Sequence, residues 1–477
     1  MEFDLNKKHC YYFKQISDIP RGSRNEKAVS DYIVAFAKDH GYDCIQDEVY
    51  NVIVYKPASP GYEKSEPIIL QAHTDMVCEK NKDVEHDFEK DPLELYVEDS
   101  LLKAKGTTLG ADDGMGVAYM LAILDDPDLP HPALECAFTV MEEVGLLGAQ
   151  ALKKEYFHAK RYINLDAGGE VATSVTSSGG TRTTITKDLV YSNNADPTYC
   201  LKIRGLKGGH SAGVIHLERG NAILIAARIM EKLINANHDI RLADINGGMK
   251  NNAIPRECDV TFSTKTDYET LQRIVEEMNT SIKEELQYSD EGFNASLDQT
   301  DTVTKAIDEK QTETIFDFLS VIPNGLQHRS MAIEGLSIAS LNCGVIHIED
   351  DRLLIHHLLR SAISSHGDQM IEQLQILSKT FGFTYSQDNR YYGWNYSKDS
   401  ELRNILASVL KDKGSDMVER SSHGGLECGI FKGMIPELDI ITYGPITEGA
   451  HTPQENLDLA SFDRSYENLI EVLKRAK

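Results

Sequence analysis

Two kinds of hydrophobic pattern follow one another along the chain. In the first third, short continuous apolar runs at 67–72, 136–141 and 161–165 stand between stretches whose apolar residues recur at helical spacing. Continuous apolar runs of this length are typical of strands buried on both faces of a sheet, and the helical spacing indicates helices that cover them. We therefore predict an α/β layer around a central, largely buried sheet flanked by helices.

Local signals place further elements in this layer. Ser23 followed by Glu26 has the spacing of a capping box, which predicts the start of a helix that Gly41 ends. Apolar residues at 114–124 predict a second helix, and the region 44–55 is predicted as one strand.

A different pattern begins near residue 180. Polar and apolar residues alternate at 181–192 and 198–206, as in antiparallel strands with one face in water. Further predicted elements are a helix at 221–235, a strand at 352–364, a helix at 400–411, a strand at 437–443 and a helix from 459. Because the α/β pattern returns after Trp394, we predict one domain made of residues 1–180 and 393–477. An inserted α+β domain at 181–392 interrupts it.

Charge and composition narrow the classes of partner. The net charge is −26, from 49 Lys and Arg against 75 Asp and Glu. Such a surface repels phosphate backbones and anionic lipid, so we expect neither a nucleic-acid nor a membrane partner. We expect the binding partners to be small solutes or small peptides. The N-terminal residues lack the apolar core of a signal peptide, and the eight cysteines form no CxxC pair. We therefore expect a cytoplasmic protein with reduced thiols.

Acidic residues and histidines follow the predicted strands at the points where the strands end. They are His73, Asp75, Asp112, Asp113, Glu142, Glu143, Asp166 and His451. Taken singly, each acid is best explained as a cap or turn residue, and His451 as an ordinary surface or core histidine. Open α/β sheets bind ligands beyond the carboxyl ends of their strands, where these carboxylates would repel one another unless cations lay between them. Mixed histidine and carboxylate ligation suits zinc or a similar divalent cation.

The motifs that contain these residues resemble those of a known family. HTD (73–75), LGADDG (109–114), MEEVG (141–145), NLDAG (164–168) and GAHTPQE (449–455) occur in this order. In this they are similar to the dinuclear-zinc metallopeptidases, the family of aminoacylases, G-type carboxypeptidases and dipeptidases. The resemblance covers the whole chain. With GGHSAGVIH (208–216) and HGGLECG (423–429), it is strongest to the bacterial aminoacyl-histidine dipeptidases of that family.

The resemblance implies a zinc-peptidase catalytic domain with a central mixed sheet, the insertion as a lid, and two divalent metal ions per chain. Zinc is expected first, with cobalt or manganese as alternatives. By the family's motifs, His73 and Asp166 hold one ion, Glu143 and His451 hold the other, and Asp112 bridges the two.

The same motifs imply catalytic roles for two further carboxylates. Glu142 is the general base that takes the proton of the attacking water, and Asp75 orients the His73 ring. In the family, the peptide bond between the residues matching Asp112 and Asp113 is cis.

Four residues further along the chain match family positions that contact the substrate. His210 is implied as the donor to the oxyanion, in its own chain's site or a neighbour's; the alternative is a histidine in a glycine-rich turn. Asn252 and Arg360 match positions that hold the substrate carbonyl and carboxylate; a surface ion pair explains Arg360 equally well. Glu427 is implied to pair with a substrate ammonium, or else it interacts with the dipole of its helix.

The implied function is hydrolysis of dipeptides with a free N-terminus, including aminoacyl-histidine substrates such as carnosine, by a homodimer. Tripeptide aminopeptidase and N-acyl-amino-acid hydrolase activities on the same metal core remain alternatives. A metal-dependent binding protein without catalysis is a third alternative. Glu142 argues against it, because metal binding alone does not require a general base beside Glu143.

Overall fold

A computed structural model of the chain describes residues 2–237 and 239–477. Within these residues the chain divides into two compact units. The first unit runs to Ser177 and also includes Trp394–Ser422 and Leu426–Lys477. The second unit comprises Ser178–Gly393 and His423–Gly425. Residues 423–425 are thus grouped with the second unit, whereas all of 393–477 was predicted to belong to the first domain.

A mixed central sheet forms the centre of the first unit. Its strands lie in the order Asp43–Gln46, Val52–Lys56, Leu134–Thr139, Ile68–His73, Arg161–Asn164 and Asp439–Thr442. The first two strands pair antiparallel with their neighbours, and the remaining pairs are parallel. The parallel strands are buried almost throughout, in agreement with their continuous apolar sequence. The predicted α/β class with a central mixed sheet is confirmed.

Helices and small sheets complete the first unit. The helices are Lys8–Ser17, Lys27–Asp39, Ala111–Leu124, Leu147–Ala151, the 3₁₀ turn Lys154–Tyr156, Glu401–Asp412, Glu427–Met434 and Leu459–Arg475. The small sheets pair Ala172–Thr176 with Val418–Ser421, and Thr447–Glu448, Asn456–Asp458, Leu101–Ala104 and Leu95–Glu98 in that order. Ala111–Leu124 is buried on nearly every side, which makes it the central helix of this core.

The second unit is an antiparallel sheet with helices packed against it. Along the sheet the strands are Asn294–Thr300, Thr198–Arg204, Cys258–Ser263, Arg241–Gly247, Ser337–Glu349, Arg352–Ser361, Gly179–Asp188 and Thr384–Tyr391, and Gly325–Arg329 pairs with Ser337–Glu349. Short pairs join Tyr191–Asn193 to Lys305–Ile307 and Gly209–His210 to Ala253–Ile254. The helices are Ser211–Val214, the 3₁₀ turn Ile215–Leu217, Ala222–Ala236, Tyr268–Glu285, Glu309–Val321 and Ser364–Phe381. This unit has its own apolar core.

Two local predictions are wrong. The capping box does not form: the helix Lys27–Asp39 begins after Glu26 without a side-chain cap, because Ser23 and Glu26 bond elsewhere. The region 44–55 is a hairpin and not one strand, since the Asp47 carboxylate accepts the backbone N–H groups of Val49 and Asn51 and turns the chain.

No helix in the described part of the chain is long and apolar enough to cross a membrane.

Candidate active site

Neighbouring parallel strands bring the candidate residues to one edge of the central sheet. His73 is the last residue of Ile68–His73, and Glu142 and Glu143 follow Leu134–Thr139 on one side of it. Asp166 follows Arg161–Asn164 on the other side. Because parallel strands end at the same edge, residues far apart in sequence become neighbours there.

Asp112 lies between two imidazole rings. Its Oδ1 is 3.1 Å from His73 Nε2, and its Oδ2 is 3.2 Å from His451 Nε2. Glu143 Oε1 is 2.9 Å from the same His451 nitrogen, and Asp166 Oδ1 is 3.9 Å from His73 Nε2. The Asp112–Asp113 peptide bond is cis, as the resemblance implied. One carboxylate therefore offers one oxygen to each of two histidine-containing groups.

Potential metal-ligand atoms converge here in overlapping groups. Those of Asp112, Glu143 and His451 lie within 4.8 Å of one another, as do those of His73, Asp113 and Asp166. His73 forms a further such group with Glu142 and Glu143. Asp113 was not among the residues predicted to bind metal or to act in catalysis. Its buried carboxylate accepts the N–H groups of His73 and Gly116, so it is already held by backbone bonds.

Asp75 contacts both the His73 ring and the turn that carries Glu142 and Glu143. Its Oδ1 is 3.5 Å from His73 Nδ1 and accepts the Glu142 N–H at 3.0 Å, while its Oδ2 accepts the Glu143 N–H at 3.3 Å. Burial acts to raise the pKa of Asp75, but these contacts outweigh it and lower that pKa. The charged carboxylate is thereby stabilised in a fully buried position.

The protein side chains alone leave an excess of negative charge in the cluster. The carboxylates of Asp112 and Glu143 raise the pKa of His451 to about 10. Burial, reinforced by nearby carboxylates, raises the pKa of Glu142 to about 8 and that of Asp166 well above its ordinary value. Divalent cations would relieve this repulsion, and the mixture of imidazole nitrogens and carboxylate oxygens matches their ligand preferences. The residues present therefore fit such ions.

Two further buried charged residues, which were not predicted from the sequence, hold the loops of the cluster. Glu455 accepts the N–H groups of Leu109, Gly110 and Asp112. The buried Arg21 guanidinium donates to the carbonyls of Thr74 and Gly110. No local feature of the sequence indicated these roles, because the groups that Glu455 and Arg21 bond are distant along the chain.

Glu427 is fully buried in the first unit, behind the strand ends. Its Oε2 accepts hydrogen bonds from Gln71 Nε2 at 2.5 Å and Thr139 Oγ1 at 2.9 Å, and its buried Oε1 makes no hydrogen bond. Burial raises the pKa of Glu427 to about 7. One oxygen of this acid is thus fixed while the other is left without a partner.

His210, Asn252 and Arg360 belong to the second unit. Ala212 N–H donates to His210 Nδ1 at 3.2 Å, and Asn252 Nδ2 lies 3.5 Å from His210 Nε2. Burial, reinforced by the charge of Arg360, lowers the pKa of His210 and favours the neutral ring. Arg360 is buried, its Nη1 is 3.5 Å from the His423 carbonyl oxygen, and its Nε makes no hydrogen bond. Arg360 is thus not an exposed surface residue.

Comparison with known proteins identifies the family. The model of peptidase family M20/M25/M40 matches residues 69–476. The chain belongs to this family. It is therefore a metallopeptidase.

Two relatives are similar over nearly the whole chain. The Cytosol non-specific dipeptidase of Escherichia coli (strain K12) is 36% identical over 474 residues, which are 97% of this chain and 96% of that protein. The crystal structure of the Aminoacylhistidine Dipeptidase from Vibrio alginolyticus superposes with a TM-score of 0.92 at 32% identity, covering 98% of this chain and 96% of that one. The aminopeptidase PepT from Bacillus cereus, at 15% identity and a TM-score of 0.57 with full coverage of both chains, shares the fold.

Proposed function

We propose that this M20/M25/M40 family member is a dipeptidase that hydrolyses dipeptides with a free N-terminus, aminoacyl-histidine substrates such as carnosine among them. The observation that carries the proposal is Asp112, whose two oxygens face His73 and His451 directly beside the paired glutamates. The names of the Escherichia coli and Vibrio alginolyticus relatives support the same activity. A cytoplasmic location and a homodimer, expected from the sequence, are part of the proposal.

Two divalent ions, zinc first and cobalt or manganese as alternatives, complete the proposed site. His73 and Asp166 would hold one ion, Glu143 and His451 the other, and Asp112 both. Bound there, the ions would supply Lewis-acid charge and a water of lowered pKa. Asp75 keeps the His73 ring oriented, because its backbone carbonyl oxygen lies 3.1 Å and its carboxylate 3.5 Å from His73 Nδ1.

The chain's own residues perform the proton transfers and orient the substrate. Glu142 takes a proton from the attacking water and delivers it to the leaving amine. A ring N–H of His210, from its own chain or a second copy, stabilises the oxyanion that develops on the substrate carbonyl.

Recognition of the dipeptide ends involves three further side chains. The Arg360 fork binds the substrate carboxylate, and its unpartnered Nε is available for that contact. Asn252 contacts the substrate carbonyl. The free Oε1 of Glu427 is the acceptor for the substrate ammonium. A buried acceptor and a buried donor without partners are costly unless a ligand satisfies them.

A substrate panel tests the proposal. The purified protein is stripped with a chelator and assayed with zinc, manganese or cobalt restored. The substrates are β-alanyl-histidine, other aminoacyl-histidines, dipeptides without histidine, their N-acetylated forms and a tripeptide. We expect no hydrolysis without metal, hydrolysis of free dipeptides including Xaa-His when metal is restored, and none after acetylation. Preferred hydrolysis of acetylated substrates would indicate an acylase, preferred hydrolysis of tripeptides an aminopeptidase, and no hydrolysis a binding protein.

A further inference from the structure

The turn that carries the two glutamates is held by carboxylates from two other parts of the first unit. Three consecutive backbone N–H groups, those of Met141, Glu142 and Glu143, all donate to carboxylate oxygens. Glu142 and Glu143 donate to Asp75, as described above. Met141 N–H donates at 3.0 Å to Oε1 of Glu26. The turn therefore depends on a residue from the segment just before the helix Lys27–Asp39.

This turn requires such support because its backbone is strained. Met141 has a φ of +52°, in the left-handed region that a side chain with a Cβ rarely adopts. A residue is kept in that region only when its surroundings hold it there. The bond from Met141 N–H to Glu26 acts at this strained residue, directly before the proposed general base.

Glu26 and Ser23 support the glutamate turn through hydrogen bonds and do not cap the helix Lys27–Asp39. Glu26 is 3% exposed, and its Oε1 also accepts the Arg24 N–H at 2.8 Å. Ser23 Oγ donates at 2.8 Å to Asp75 Oδ2, the same oxygen that accepts the Glu143 N–H. Glu26 thus bonds to the glutamate turn directly, and Ser23 bonds to Asp75, the other carboxylate that holds the turn.

We propose that Glu26 and Ser23 are positioning residues of the hydrolytic site. Glu26 acts through the Met141 N–H and Ser23 acts through Asp75, and together they set where the Glu142 and Glu143 side chains lie. This inference rests on the proposed function for its catalytic consequence, while the hydrogen bonds themselves are independent of it. Groups that orient residues of a metal site commonly matter about 10–100-fold in activity when they are removed.

The test compares two substitutions of Glu26 with a matched control. Glu26→Met keeps the length of the side chain but removes the acceptor, whereas Glu26→Gln keeps an oxygen that can accept both N–H groups. Glu135→Met is the control, because Glu135 is another buried glutamate of this unit that accepts backbone N–H groups, those of His158 and Ala159. Glu135 lies near the opposite end of the strand Leu134–Thr139.

Steady-state kinetics on a dipeptide give the first measurement. We expect Glu26→Met, assayed with saturating zinc, to lower kcat about 10–100-fold with KM within about twofold. Glu26→Gln should restore kcat, and Glu135→Met should leave it unchanged. A kcat of Glu26→Met near that of the wild type, or an equal loss in Glu135→Met, would overturn the inference.

Hydrogen exchange of the metal-free protein gives a measurement that does not depend on activity. In a peptide spanning 138–150, Glu26→Met should exchange faster than the wild type, while Glu26→Gln and Glu135→Met should not. Unchanged exchange in Glu26→Met contradicts the inference even if the enzyme is active. If the wild type hydrolyses no dipeptide, the proposed function fails, and the exchange result alone decides whether Glu26 holds the turn.

A second residue keeps the test decisive if Glu26→Met does not fold. Ser23→Ala removes only the bond to Asp75 from a half-buried position, and Ser23→Thr retains the hydroxyl. We expect the alanine variant to lower kcat at constant KM and the threonine variant to recover it. Ser30→Ala, which removes a hydroxyl bonded to the Tyr50 carbonyl, is the control. Equal kcat in Ser23→Ala and Ser30→Ala would contradict the role of Ser23.

Discussion

Replacing each of the adjacent glutamates by glutamine tests the division of roles between them. Glutamine has the size of glutamate, and the backbone N–H groups of residues 142 and 143 remain free to bond to Asp75. The turn should therefore keep its shape in both variants. Glu142→Gln then removes a proton acceptor, whereas Glu143→Gln removes a charged oxygen that lies 2.9 Å from His451 Nε2.

The expected size of the Glu142 effect follows from what glutamine can still do. It cannot accept a proton from the attacking water, and general-base catalysis contributes about 10²–10⁴-fold to enzymatic rates. At about 1.4 kcal/mol for each factor of ten, the loss of transition-state stabilisation is about 3–5 kcal/mol. The Asp112, Glu143 and His451 group remains intact in this variant, so metal content should not change.

The assay pairs kcat and KM on the preferred dipeptide with the metal content of the same samples. We expect Glu142→Gln to lose kcat by about 10²–10⁴-fold and to keep the metal content of the wild type. Glu143→Gln should lose metal from the group that contains His451, and added zinc should restore part of its activity. Loss of metal from Glu142→Gln would show that the two roles are assigned to the wrong residues. A Glu142→Gln enzyme with nearly normal kcat would refute the general-base assignment.

Two further predictions concern the second unit. His210→Ala should lower kcat by about 10²-fold or more with unchanged metal content, and a normal kcat would place the oxyanion donor elsewhere. His357 is fully buried with neither ring nitrogen hydrogen-bonded, and burial lowers its pKa to about 3. Between pH 6.5 and 3 only the unfolded state then binds this proton. The free energy of unfolding therefore decreases by about 1.4 kcal/mol for each unit by which the pH is lowered in this range. Urea unfolding at pH 7 and pH 5 should show a smaller loss for His357→Leu than for the wild type; equal losses would contradict this.

The central sheet and the strand-end residues were predictable because one signal specified both. Runs such as PIILQA and CAFTVM are apolar at every position, as buried parallel strands require, and each leads directly into charged residues. A carboxylate or imidazole at that point lies beyond the carboxyl end of its strand, where parallel strands bring such groups together. The neighbouring positions of His73, Glu143 and Asp166 follow from this rule.

The supports of the cluster were not predictable because they depend on tertiary contacts. Ser23 and Glu26 match a local capping pattern, but the Asp75 carboxylate and the Met141 N–H, which come from distant sequence, are their partners instead. The buried carboxylate of Glu427 likewise accepts its hydrogen bonds from Gln71 and Thr139, which lie on two central strands. The sequence around a residue does not show which distant groups it will bond to. The local capping pattern at Ser23 and Glu26 was therefore interpreted as a helix cap that the folded chain does not form.

The most direct test of the account is anomalous X-ray diffraction from crystals of the zinc-loaded protein, measured on both sides of the zinc absorption edge. We expect two strong peaks per chain, one contacted by His73, Asp112 and Asp166 and the other by Asp112, Glu143 and His451. An absence of peaks at these residues, or peaks confined to another group such as His9, Cys10 and Asp463, would contradict it.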